Sequence, residues 1–152
     1  MSMGRCWRTV TRVALLAGAA ACAAPGPRPI AYGRESCARC SMTVSDPRFG
    51  AELVLRTGKV RVFDSIECLA AYVAAYPPEK VASAWVTDVT RPGKLIAAAH
   101  ATYVRTRRID SPMGLGLAAL GPASAATRAR AGFEGPTLTW PQVLALAARG
   151  SA

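Results

Sequence analysis

Three cysteines and two methionines define the chemistry open to this chain. Cys37, Cys40 and Met42 share one short segment, Cys37-Ala38-Arg39-Cys40-Ser41-Met42. Cys68 follows in Phe63-Asp64-Ser65-Ile66-Glu67-Cys68, and Met113 stands in Ser111-Pro112-Met113-Gly114-Leu115-Gly116. Thiolate and thioether sulfur are soft ligands, and together they discriminate copper(I) from harder ions. Cys40-x-Met42 supplies one of each. In an extended segment alternate side chains share a side, so Cys40 and Met42 are expected to converge with Ser41 turned away. Met113 is the second thioether candidate, because a turn between Pro112 and Gly114 is an odd place for a residue destined only for the core. A methionine is ordinarily a flexible core filler. Beyond Met1 and Met3, however, Met42 and Met113 are the only methionines, and both sit in turn-like motifs off the periodic apolar faces.

Two other chemistries use the same residues. Cys37 and Cys40 have the C-x-x-C spacing of a periplasmic thiol-disulfide oxidoreductase or of half a zinc site. A redox pair of that kind opens a helix, whereas Met42-Thr43-Val44-Ser45-Asp46-Pro47 is a poor helix start. A zinc-stabilised interaction module would draw on Cys37, Cys40, Cys68 and His100, the single histidine. No second C-x-x-C and no spaced histidine pair accompanies them, and Cys68 reads first as a packed side chain. With one histidine, no G-x-S-x-G elbow and no P-loop, no catalytic constellation emerges, so the expectation is a protein that is not an enzyme. Asp64 reads as a helix cap and Glu67 as a first-turn charge that suits the helix dipole.

The compartment follows from the N-terminus. Arg5, Arg8 and Arg12 precede an uncharged run from Val13 to Ala21. That run fits the core of a signal peptide and is far short of the about 20 residues a membrane span needs. Ala19-Ala20-Ala21 then lead directly into Cys22, the pattern of a lipoprotein signal. Residues 1–21 are therefore expected to be a cleaved signal peptide, with Cys22 acylated as the new N-terminus. Residues 22–36, rich in Pro and Gly, read as a lipidated tether, and residues 37–152 as the metal-binding domain. The expected location is the periplasmic face of a bacterial membrane, the outer membrane in preference to the inner. Acylation of Cys22 leaves three thiols, an odd number that argues against a fully paired disulfide framework in an oxidising compartment.

Charge excludes little by itself. Of the formal +10, the leader's arginines carry three and the mature part seven. The one dense basic run, Arg105-Thr106-Arg107-Arg108, has no stacking aromatics interleaved, so no nucleic acid is expected as a partner. A basic surface on a lipidated protein suits anionic headgroups or an acidic protein partner.

About 130 mature residues make one domain, and the patterning gives its class. Residues 51–56 and 59–63 are strand-like around Thr57-Gly58 and read as a hairpin. Asp64-Ser65 opens a helix running to about Tyr76, with Ile66, Leu69, Tyr72, Val73 and Tyr76 on one face, and Pro77-Pro78 stops it. Strand-like segments recur at 84–89, 94–98, 101–105 and 117–120. An Ala-rich helix ends near Gly132, and Thr139 can cap a last helix over 140–148, with Pro141 in its first turn. The class is α+β: two similar small strand-strand-helix halves sharing one domain.

The order Cys-x-x-Cys-x-Met, Phe63-Asp64-Ser65-Ile66-Glu67-Cys68-Leu69-Ala70-Ala71-Tyr72, Trp85-Val86-Thr87-Asp88, Ala101-Thr102-Tyr103-Val104 and Ser111-Pro112-Met113-Gly114-Leu115-Gly116 resembles the NosL family. These are periplasmic lipoproteins that act as copper chaperones for nitrous oxide reductase. The resemblance covers about Cys37 to Gly121. It implies a pair of similar strand-strand-helix halves, one copper(I) per chain, and nitrous oxide reductase as acceptor. Its cysteine falls on Cys40, its adjacent methionine on Met42 and its distal methionine on Met113. Ser41 stands where the family usually has glycine.

Overall fold

The computed structural model describes residues 25–122 and 132–149. The expected signal peptide, Cys22 and the Ala-rich helix before Gly132 lie outside the described residues.

The first sheet grows around β1 (Ala51–Leu55), whose five residues are all buried. An unbroken Ala-Glu-Leu-Val-Leu run suits a strand covered on both faces better than one with a wet side. β2 (Val60–Phe63) folds back on it through the expected hairpin, pairing Ala51 with Phe63 and Val54 with Val60. At the turn, Gly58 takes φ +81° and donates to the Leu55 carbonyl at 2.8 Å. β3 (Val81–Thr87) lies antiparallel on the other side of β1, and β4 (Leu95–Ala97) extends the edge, giving the order β2-β1-β3-β4.

The second sheet repeats the plan. β5 (Thr102–Arg105) sits centrally, β6 (Leu117–Leu120) pairs with it antiparallel, and β7 (Thr137–Leu138) pairs antiparallel on the other side, in the order β6-β5-β7. In each unit the first two strands form an antiparallel pair and the third returns beside the first. The α+β class and the two similar halves hold, but the boundary falls later than patterning suggests. The strands expected at 84–89 and 94–98 to open the second half complete the first sheet instead. A parallel bridge from Asp88 to Ala119 joins the sheets, and Val89 donates to the Ala119 carbonyl at 2.9 Å.

Among the described residues, two α-helices pack against this frame. α1 (Ile66–Ala74) buries Ile66, Cys68, Leu69 and Ala70. α2 (Trp140–Arg149) buries Val143 and Ala147 and packs on α1. At its start the Thr139 backbone N–H donates to Gln142 Oε1 at 2.8 Å, one of the two bonds of a capping box, and Pro141 fits the first turn, where its missing N–H costs nothing. One core cluster runs through both halves, from Leu53, Phe63 and Leu69 to Tyr103, Leu117 and Val143. Arg28, within the stretch read as tether, contacts the domain: its backbone N–H donates to Glu52 Oε2 at 3.0 Å, and Ile30 and Tyr32 pack on the core.

Candidate metal centre

Cys37 and Cys40 lie in a turn, not a strand. Ser36 and Thr43 form an antiparallel bridge that closes the segment, and inside it Cys37 N–H donates to the Met42 carbonyl at 2.8 Å. The Ser41 N–H donates to the Cys37 carbonyl at 3.0 Å, and Ala38 N–H docks the turn on β2 through the Val62 carbonyl at 2.8 Å. To make this turn Ser41 adopts φ +64°, the left-handed conformation natural to glycine. That accounts physically for the glycine usual there. It also corrects the extended-segment argument, because a left-handed residue between Cys40 and Met42 breaks the alternation that was to aim both at one side.

The other two members come from the β2–α1 junction. Ser65, with extended φ −153° and ψ 163°, caps α1 by accepting from the Cys68 N–H at 3.2 Å. A helix has one N-cap residue, so Asp64 is not the cap expected of it. Its carboxylate turns inward and is 3% exposed: Oδ2 accepts from Cys40 Sγ at 3.6 Å, and Oδ1 is buried without a hydrogen-bond partner. Cys68, in the first turn of α1, is fully buried. The ligand atoms of Cys37, Cys40, Asp64 and Cys68 all lie within 4.8 Å of one another, and the three cysteines are free thiols.

Proximity divides these thiols electrostatically. The Cys68 thiol lowers the pKa of Cys37 to about 6 by hydrogen bonding to it, against the opposing effect of burial. Cys68 is pushed up by the same bond, then by burial and the Asp64 carboxylate beside it. Burial also raises Cys40. A C-x-x-C oxidoreductase needs an accessible attacking thiol at a helix start. Here Cys37 is 2% exposed and sits in a turn, so the geometry fits ion binding rather than thiol exchange.

Met42 and Met113 are the exposed large hydrophobic residues among those described, at 52% and 38%. Neither is a core filler. Met113 belongs to a loop held tightly from both sides. Gly114 N–H donates to the Ser111 carbonyl at 2.9 Å, and Gly116 N–H to Ser111 Oγ at 2.9 Å. A Cβ on Gly116 would lie 2.0 Å from the Thr106 carbonyl oxygen. Ser111 Oγ donates in turn to Glu67 Oε1, next to Cys68 in α1. The Met113 loop is thus tied to the helical turn that carries Cys68. Glu67 is the first-turn acid of α1, as read from sequence, but it is 5% exposed and also makes this tie. His100 is exposed on a short 3-10 turn (Ala98–His100) and is not a member of the thiol group, so the four-ligand zinc set that included it is not assembled.

Sequence reasoning missed Asp64 as a group member. The signal was the doublet Asp64-Ser65: two residues able to cap, with one cap to make, leave the other available.

The fold and site together define a two-sheet α+β protein with a buried, thiol-lined cradle able to hold a metal ion. The NosL family model matches residues 30–145, and the chain belongs to the NosL family. It is not an enzyme. The crystal structure of the copper chaperone NosL from Shewanella denitrificans superposes with a TM-score of 0.59 at 21% identity, covering 74% of this chain and 94% of that one. The likeness extends to the fold. No curated protein matches the sequence.

Proposed function

We propose that this chain is a lipid-anchored periplasmic carrier that takes up copper(I) and delivers it to a copper enzyme, nitrous oxide reductase first among them. The observation that supports this most is the group of three free thiols and Asp64 within 4.8 Å, in a chain of the NosL family whose solved relative is a copper chaperone. Cys40 is the thiolate ligand, Met42 and Met113 the thioethers, and Cys37 and Cys68 stand behind them. The copper is cargo. A carrier must bind tightly enough to exclude competitors yet release to its partner, and thioethers weaken binding without charge while thiolate anchors it. Two exposed methionines leave the ion reachable, so an acceptor's ligands can replace them one at a time. The Cys22 anchor would hold the carrier at the membrane, and the exposed Arg105, Arg107 and Arg108 suit an acidic acceptor.

Transfer tests this reading directly. The full chain, loaded with one copper(I) under anaerobic conditions, is mixed with copper-free nitrous oxide reductase, and copper on each protein is measured after separation. The expected result is net transfer, slowed by Met42→Leu combined with Met113→Leu. Retention of all copper by the chain in the presence of that enzyme would remove it as the acceptor.

A further inference from the structure

We propose that Cys37 and Cys68 join Cys40 in an inner, three-sulfur seat for copper(I), so that the ion is held in one of two positions that share Cys40. The inference rests on the copper-carrier reading and adds to it a resting position distinct from the Cys40, Met42 and Met113 position of that reading, the two sharing half-buried Cys40.

The geometry fits the inner seat closely. With metal–sulfur bonds of about 2.3 Å, three sulfurs around one ion stand about 4 Å apart. The three Sγ atoms already lie within 4.8 Å of one another, so small side-chain rotations complete the triangle. Cys37 and Cys68 are 2% and 0% exposed, and both are thiols rather than a disulfide. Packing alone does not explain the site, because a core designed only to pack would not bury a carboxylate beside these sulfurs with one of its oxygens left without a hydrogen-bond partner. The first turn of α1, which carries Cys68, also offers the positive end of a helix dipole to the negative charge that thiolates bring.

The exchange conserves charge and electrons. Copper remains +1 throughout. On entry, bonds from copper to the Cys37 and Cys68 sulfurs form as any proton on those sulfurs leaves for Asp64 or water, and the thioether bonds break. On exit the thioether bonds re-form, the two inner bonds break, and the protons return. The Cys40 bond persists in both positions, which keeps the ion from escaping between them. A buried resting seat would shield copper(I) from dioxygen and stray ligands until an acceptor draws it outward.

X-ray absorption on the full, reduced chain in detergent, loaded with one copper(I) anaerobically, counts the sulfurs. Competition with a copper(I) chelator measures affinity. In Met42→Leu combined with Met113→Leu, three sulfur neighbours at about 2.3 Å are expected. In Cys37→Ser combined with Cys68→Ser, affinity is expected to fall at least tenfold while binding persists through Cys40 and the methionines. Fewer than three sulfurs in the methionine variant would overturn the inner seat, and this result stands even if the buried serines unfold their variant. A folded serine variant with unchanged affinity would overturn it too, leaving the carrier reading intact. Failure of the wild-type chain to bind copper(I) would overturn both.

Discussion

Ser41 is where local backbone and metal chemistry meet. A left-handed conformation costs an L-residue roughly 1–2 kcal/mol, and glycine escapes most of that at the expense of a floppier unfolded chain. Since Ser41 is exposed and its φ is +64°, Ser41→Gly should raise stability by up to about 1 kcal/mol. Urea unfolding would report this as a higher midpoint at unchanged slope, and a lower midpoint would mean that the serine side chain contributes something the backbone does not reveal. Cys37 and Cys40 stand out in the sequence because soft ligands are recognisable by type, whereas Cys68 reads there as a packed side chain. The convergence of the three is not legible there. It depends on the local Ser36–Thr43 bridge and on the docking of Ala38 on Val62 of β2, and the second of these is a long-range fact about the fold.

Elements were legible wherever the determinants are local. The 51–63 hairpin, the start of α1 after Asp64-Ser65 and the start of α2 after Thr139 are written in neighbouring residues, and all three form where expected. Sheet membership is not local. Nothing within 84–98 reveals that β3 returns to pair with β1, and the two-residue β7 is too short to carry a pattern. The same limit hid the tie between α1 and the Met113 loop, since Ser111 and Glu67 are 44 residues apart. That tie makes a testable contribution. Ser111→Ala leaves a buried Glu67 oxygen without its donor and should cost about 1–3 kcal/mol. Thermal or urea unfolding checks the loss, and a variant as stable as wild type would show that the loop is held without Glu67.

For the whole molecule, the proposed arrangement is a tethered carrier whose thiol group lies at the β2–α1 junction, with the Met113 loop of the second half tied to the same helix. The anchor is tested by Cys22→Ser. The native chain should partition with membranes and incorporate labelled palmitate, and the variant should lose the label and either enter the soluble fraction or remain unprocessed. A wild-type chain found wholly soluble, with an N-terminus at Ala23 or beyond, would contradict the anchor.

Copper(I) capture by Cys40 is the point on which the carrier reading stands, and anaerobic titration of the full chain against a competing chelator measures it directly. One ion should bind tightly per chain, and Cys40→Ala should weaken that binding at least tenfold because Cys40 belongs to every proposed arrangement. Burial raises the Cys40 thiol, so binding must displace a proton there. Affinity should therefore weaken as pH falls, with protons released on loading near neutral pH. Tight, pH-independent binding that survives Cys40→Ala, or no copper(I) binding by the wild-type chain, would contradict it.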